Sequence, residues 1–202
     1  RGVPATHDVT LARDTILQLR TQGTNDSTRV VRFNKAIDDR ADPSEWDDIH
    51  GAIDVIIFEG WCVGAPPQKP QALNHPANTL EQEEDNHGTW RQHVNQALAN
   101  EYHDLFALID KLAILSAPSF ECVHEWRWLQ EQKLAQQWQR QHPQEPARLL
   151  DQHSVARFIA HYQRLTEHCL HTLPNVCDWE LVLNPQHAIT ALKQKSIQKE
   201  GL

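Results

Sequence analysis

Glu59 is the residue whose setting points most directly to chemistry. It ends the apolar run 53–58 (Ile-Asp-Val-Ile-Ile-Phe) and is followed by Gly60 and Trp61. A short β-branched and aromatic run stopped by an acid and a glycine is the pattern of a buried parallel strand. Such a strand delivers its last side chain to the mouth of an α/β sheet, where ligands bind beyond the carboxyl ends of the strands. Many nucleoside-triphosphate enzymes place an acid there to hold Mg²⁺, directly or through water. A buried strand whose following turn merely contains Glu59 accounts for the same residues.

Three other groups carry usable chemistry. Residues 1–8 read Arg-Gly-Val-Pro-Ala-Thr-His-Asp, with Gly2 and Pro4 shaping a tight turn before a helix. There Asp8 is either the helix cap or, with His7, part of a substrate-binding loop. Lys35 and Arg40 follow a strand candidate that ends at Phe33. They suit an anionic substrate or phosphate at a sheet's carboxyl edge, and equally a solvated charged loop. Arg127 and Glu131 stand four apart in a helical stretch, which an exposed ion pair explains by itself. Arg127 with a flanking tryptophan also suits a lid over a nucleotide. His168, Cys169 and His171 share one helix and do not converge as zinc ligands. No glycine is followed by lysine, so the phosphate-cradling G-x-x-x-x-G-K-[ST] loop is absent from these 202 residues.

The elements that must position these groups alternate between helix and strand. Helical spacing predicts an amphipathic helix over 9–20, ended by Gly23. A short strand over 28–33 and a polar loop over 38–48 follow, with Ser44 capping one turn around Trp46. The strand leading to Glu59 comes next, then a proline-rich surface loop over 64–76. Residues 78–108 read as helical with a break at Gly88. A strand is predicted over 111–116, a long polar helix over 119–139, a linker over 141–146 and an amphipathic helix over 154–173 capped by Ser154. A fourth strand covers 178–183, and the lysine-rich tail after Ile189 reads as a terminal helix or frayed end. This alternation predicts an α/β domain with a largely parallel sheet. The sheet lacks a central first strand.

Composition narrows the partners. A chain of 202 residues is enough for one sizeable domain, and 40% hydrophobic with 23% charged residues is ordinary for a globular protein. The net charge of −8 argues against nucleic acid or an anionic membrane surface as the main partner. The four cysteines, Cys62, Cys122, Cys169 and Cys177, show no paired spacing and read as reduced thiols. No apolar run approaches the roughly 20 residues of a membrane helix. With no secretory signal pattern visible, the reading is a soluble cytoplasmic chain. Methionine is absent, even at position 1, which points to a piece of a longer protein.

Taken together, the segments resemble the P-loop kinase family of D-glycerate 3-kinase and its uncharacterised bacterial relatives. The resemblance rests on residues 1–8, on Phe33-Asn34-Lys35 through Asp38-Asp39-Arg40, and on 58–64 (Phe-Glu-Gly-Trp-Cys-Val-Gly). Further matches are 78–81 with Glu83-Glu84-Asp85, 117–121 (Ala-Pro-Ser-Phe-Glu), Trp126-Arg127 through Glu131, and Phe158 to Leu165. They occur in the family's order and span nearly all of 1–183. Ala5 stands where the family usually has Gly.

The resemblance implies a P-loop-kinase-like parallel sheet flanked by helices, with residues 1–202 forming a single domain and 119–150 a lid helix and linker. It implies that the first strand and the P-loop lie before Arg1, so that this chain alone does not turn over. The implied reaction moves the γ-phosphoryl group of ATP, with Mg²⁺, to a hydroxyl of glycerate or a similar small hydroxy acid. Glu59 would organise Mg²⁺ or the attacking hydroxyl. Lys35 and Arg40 would act catalytically at the acceptor, His7, Asp8 and Asn78 would bind it, and Arg127 would close over the ATP phosphates. The alternative is a non-catalytic kinase remnant that binds a partner. The acceptor and the oligomeric state are not legible at this stage.

Overall fold

The carboxylate of Asp8 starts the first helix, α1 (Val9–Thr21), by accepting the Leu11 backbone N–H at 2.9 Å. One orphan donor of the first turn is thereby satisfied. Val9, Ala12 and Ile16 face the core from α1, at the spacing of one helical face. The computed structural model describes residues 2–34, 37, 39–141, 144 and 151–195. Lys35, most of the expected 141–146 linker and the tail beyond 195 lie outside the described residues.

After α1 the chain folds into two antiparallel ribbons. Strand β1 (Ser27–Val30) pairs with β4 (Asp47–His50), and the two-residue β2 (Phe33–Asn34) pairs with β3 (Asp39–Arg40). Part of the expected polar loop is thus the strand β4. Arg32 holds the ribbon closed through a bidentate pair with Asp47, Nη2 donating to Oδ1 at 2.7 Å and Nε to Oδ2 at 3.3 Å, a geometry matched to a carboxylate. The turn before Trp46 is capped by Asp42 rather than Ser44, because the Ser44 N–H donates to the Asp42 carboxylate at 2.9 Å.

Residues 53–58 correct the central sequence expectation. They form no strand ladder among the described residues, and Val55 and Ile57 are 75% and 87% exposed. Their residue types suit a strand covered on both faces. A strand also needs a neighbour to take its N–H and C=O groups, and no described segment lies against this edge.

The chain then crosses Ala65 and Leu73, both buried, so the proline-rich loop lies partly in the core rather than wholly on the surface. Helices α2 (Thr79–Glu84), α3 (Thr89–Ala99) and α4 (Glu101–Phe106) follow, with Gly88 at φ +73° making the expected break. Their buried residues Ala97, Leu98, Tyr102 and Leu105 meet Val9, Cys62, Leu165 and Leu173 in the core.

Strand β5 (Ala113–Ser116) is the edge of a three-stranded sheet ordered β5-β6-β7. Long helices α5 (Phe120–Gln141) and α6 (Gln152–Thr172) separate it from β6 (Trp179–Leu183), which pairs with it in parallel. Asp151, not Ser154, caps α6, since the Ser154 N–H donates to its carboxylate at 2.7 Å. The tail expected to be helical or frayed includes the antiparallel strand β7 (Ile189–Gln194). The cause is an Asx turn: the Asn184 side chain accepts N–H groups of Gln186 and Ala188 at 3.0 and 2.9 Å and folds the chain back. Among the described residues the sheet has one parallel pair, so the largely parallel sheet is not found. All four cysteines are free, and no described helix is long and apolar enough to cross a membrane.

Candidate active site

Two segments are tied to the C-terminal end of α1. The Arg20 guanidinium donates to the Leu108 carbonyl at 2.8 Å and to Asp110 at 3.1 Å, just before β5. The Gln22 amide donates to the Ile49 carbonyl at 2.9 Å and to that of Gly51, just before residues 53–58. Residues just before both segments are therefore held at the C-terminal end of α1. Residues 53–58 and 112–116 both line a cleft of about 1370 Å³.

The lining also includes charged and aromatic side chains, which give one part of it, the mouth, a different chemistry. Glu59 and Trp61 line it from the end of the apolar run, Arg127 from α5, and Phe158 and Tyr162 from α6. The aromatic groups form a chain. Trp61 meets Tyr162 edge-on at 5.1 Å, Phe158 lies 5.2 Å from Tyr162, and the Arg127 guanidinium sits 5.5 Å from the Phe158 ring centre. Arg127 is steadied by an ion pair with the buried Glu131 and a 3.1 Å hydrogen bond to the Gln130 side chain. The helical pair read from the sequence is present, and the same arginine lines the cleft. A guanidinium has five N–H donors, so the pair with Glu131 does not exhaust it. Glu59 is exposed at the mouth, with no ion-pair partner among the described residues. This is an anion-and-cation mouth with an aromatic wall, able to take a flat or phosphorylated ligand.

The turn at residues 2–8 adjoins the mouth, since the Trp61 indole N–H points at the Gly2 carbonyl at 3.4 Å. The turn is closed by Thr6, whose hydroxyl donates to the Val3 carbonyl at 2.7 Å. A side chain at Gly2 would meet that hydroxyl at 2.7 Å, and Ala5 sits at φ +75°. The departure from Gly at position 5 thus falls where a side chain is strained. His7 Nδ1 lies 2.6 Å from the hydroxyl of Tyr102, and Arg40 pairs with Asp8. The Leu11 N–H, and then Arg40, hold the Asp8 carboxyl below the usual range.

Of the other sequence-predicted site residues, Lys35 lies outside the described residues. Asn78 stands away from the cleft lining: it caps α2 by accepting the Glu81 N–H at 3.0 Å and donates to the Ala160 carbonyl at 2.8 Å. Sequence reading missed Tyr102 and the wall of Trp61, Phe158 and Tyr162. Phe158 and Tyr162 are four apart on a helix, which was a usable signal. Tyr102 carried none, because its spacing is that of an ordinary core residue.

No protein-family model matches the chain. Two curated relatives do. The uncharacterised kinase mug58 of Schizosaccharomyces pombe is 30% identical over 194 residues, covering 92% of this chain and 63% of that protein. The chloroplastic D-glycerate 3-kinase of Arabidopsis thaliana is 28% identical over 134 residues, covering 63% of this chain and 26% of that protein. The chain thus spans less than two thirds of the curated relatives it matches. Among solved structures, D-glycerate 3-kinase from Cryptococcus neoformans var. grubii superposes with a TM-score of 0.72 at 20% identity, over 96% of this chain and 69% of that one. The YGR205w protein does so at 0.68 and 18%, over 98% and 68%. These solved structures share its mixed α/β fold. The chain is thus similar in sequence to mug58 and to a D-glycerate 3-kinase, the resemblance its motifs imply.

Proposed function

We propose that the chain carries part of the machinery of an ATP-dependent small-molecule kinase acting on glycerate or a similar small hydroxy acid. The observation that carries this reading is one cleft lined by both Glu59 and Arg127 together with the aromatic side chains of Trp61, Phe158 and Tyr162. Phosphoryl transfer depends on positioning and on neutralising phosphate charge, and an acid with an arginine suits that task. The kinase names of the two curated relatives support it.

The donor set fits the groups of such a reaction in part. Glu59, exposed and not held by an ion pair among the described residues, would hold Mg²⁺, which when bound supplies neutralisation of phosphate charge. Arg127 would meet phosphate oxygens, its head kept in place by Glu131 and the Phe158 face. His7, Asp8 and Arg40 would line the acceptor side, with Lys35 and Asn78 as its further members. Residues 119–150 would act as a lid within one α/β domain. The 202 residues contain no P-loop, so the phosphate cradle is not among them. The proposed compartment is the cytoplasm, although the Arabidopsis relative is named as chloroplastic.

A second reading is a binding module without turnover. The exposed apolar edge at Val55, Ile57 and Leu115 favours it, since such an edge is a template for pairing with another chain. One assay separates the two. Purified 202-residue chain, and a form of the protein that carries a P-loop, are given ATP, Mg²⁺ and D-glycerate. Phosphorylated product is expected from the second and not the first. Turnover by the 202 residues alone overturns the statement that the cradle lies elsewhere, and no transfer by a P-loop form to any small hydroxy acid overturns the kinase.

A further inference from the structure

We propose that Tyr102 is a positioning residue that locks His7 into one tautomer, with the proton on Nε2, so that the ring offers a neutral N–H donor to the site. The inference rests on the proposed kinase reading only in placing His7 at the acceptor side.

Tyr102 sits on α4 and is 3% exposed, so its hydroxyl hydrogen needs a protein acceptor. The described partner is His7 Nδ1, at 2.6 Å, with the two rings meeting edge-on at 68°. Burial of the phenol, whose hydrogen needs an acceptor, sets the direction of the His7–Tyr102 bond. The phenol donates and Nδ1 accepts. A neutral imidazole has one bare nitrogen and one N–H, so the proton stands on Nε2, on the side of the ring turned from the phenol. The reverse bond would leave the phenol hydrogen buried without an acceptor.

The surroundings act in the same sense. Burial holds His7 below its ordinary value, which keeps the ring neutral. Burial, with Cys62 and Glu101 nearby, pushes Tyr102 up to about 12, which keeps its hydrogen on. The left-handed turn at Ala5 and the cap at Asp8 bracket His7, and the Asp8–Arg40 ion pair stands beside it. One mechanistic consequence follows. With Nε2 already protonated and Nδ1 occupied, His7 is not a general base. It is a donor that orients a hydroxyl or carboxylate oxygen of the acceptor, next to the charge of Arg40.

The test is two-bond proton–nitrogen correlation spectroscopy on the ¹⁵N-histidine-labelled chain, with His7 assigned by loss of its signals in His7→Gln. At neutral pH, His7 is expected to show a single tautomer with Nδ1 bare. In Tyr102→Phe the same ring is expected to become a tautomer mixture, with its titration midpoint moving up. A wild-type ring that is mixed, or protonated at Nδ1, overturns the proposal without reference to any variant. So does a Tyr102→Phe ring that keeps the single tautomer. In a form that phosphorylates a hydroxy acid, Tyr102→Phe is expected to raise the acceptor KM several-fold with little change in kcat. If the tautomer result holds and KM does not move, His7 is displaced from the acceptor side and the kinase itself is untouched.

Discussion

Arg40 on β3 reaches the carboxylate of Asp8, the same carboxylate that caps α1. One acid therefore ties the small ribbon to the helix that anchors both walls of the cleft. Asp8→Ala removes cap and ion pair together and is expected to lower the melting temperature by about 2–4 °C, measured by circular dichroism. Asp8→Asn keeps a capping oxygen and is expected to recover most of that loss. The folded-state carboxyl titrates below its ordinary value, held down first by the Leu11 N–H and also by Arg40. Its contribution is present above the unfolded value and lost as pH falls through the folded one. The Asn variant is thus expected to flatten the acid side of the stability profile, and an unchanged slope counts against the pair.

Arg91 is 5% exposed and is held by the Asp85 carboxylate at 3.1 Å and the Leu73 carbonyl at 2.7 Å. Arg91→Met leaves the largely buried Asp85 without its ion-pair partner and the Leu73 carbonyl without the Arg91 donor. The expected loss is about 3–5 kcal/mol, read from urea unfolding. Gly88→Ala is expected to destabilise too, since a Cβ there meets the Arg91 guanidinium at 2.9 Å on a backbone at φ +73°. A neutral outcome for both sinks this account of the α2–α3 corner.

Glu81 and Arg164 join α2 to α6, with contacts of 2.6 and 2.7 Å. Burial raises the Glu81 carboxyl, but the Arg164 guanidinium and the Ala77 N–H outweigh it and the net direction is down. Stability from this pair is therefore present above the ordinary carboxylate value of 4.5 and lost as pH falls below it. Glu81→Gln is expected to be less stable than the parent at pH 7 and to approach it near pH 3. A constant gap across that range contradicts the linkage.

The helices and β5 were legible because their signals are local. Apolar spacing marks α1 and α6, and Gly88 marks the break before α3. The run 53–58 misled for a physical reason. Its residues carry the composition of a central strand, yet strand pairing is decided by a neighbour, which no window of sequence contains. The hairpin to β7 was lost because one asparagine, Asn184, decides it through side-chain hydrogen bonds. At the candidate site, charged residues could be named from motifs. The core-facing tyrosine that holds His7 could not, because burial hides it among ordinary apolar positions.

Ala5 occupies a left-handed backbone position at φ +75°. Ala5→Gly is expected to stabilise the chain by about 1 kcal/mol, seen as a higher urea midpoint at unchanged slope. A loss of stability instead means that chain entropy outweighs the strain at this turn.

Glu59→Gln bears on the proposed chemistry. In a form that turns over, kcat is expected to fall about 100-fold or more while ATP binding changes by less than about tenfold, because the carboxylate acts on charge in the transition state. Unchanged kcat removes Glu59 from the mechanism.

The side chains at the end of α1 work like the pivot of a pair of callipers. Arg20 grips one arm just before it becomes β5, and Gln22 grips the other just before residues 53–58. Both arms are therefore held by two polar side chains that have no hydrogen bond to Glu59 or Arg127.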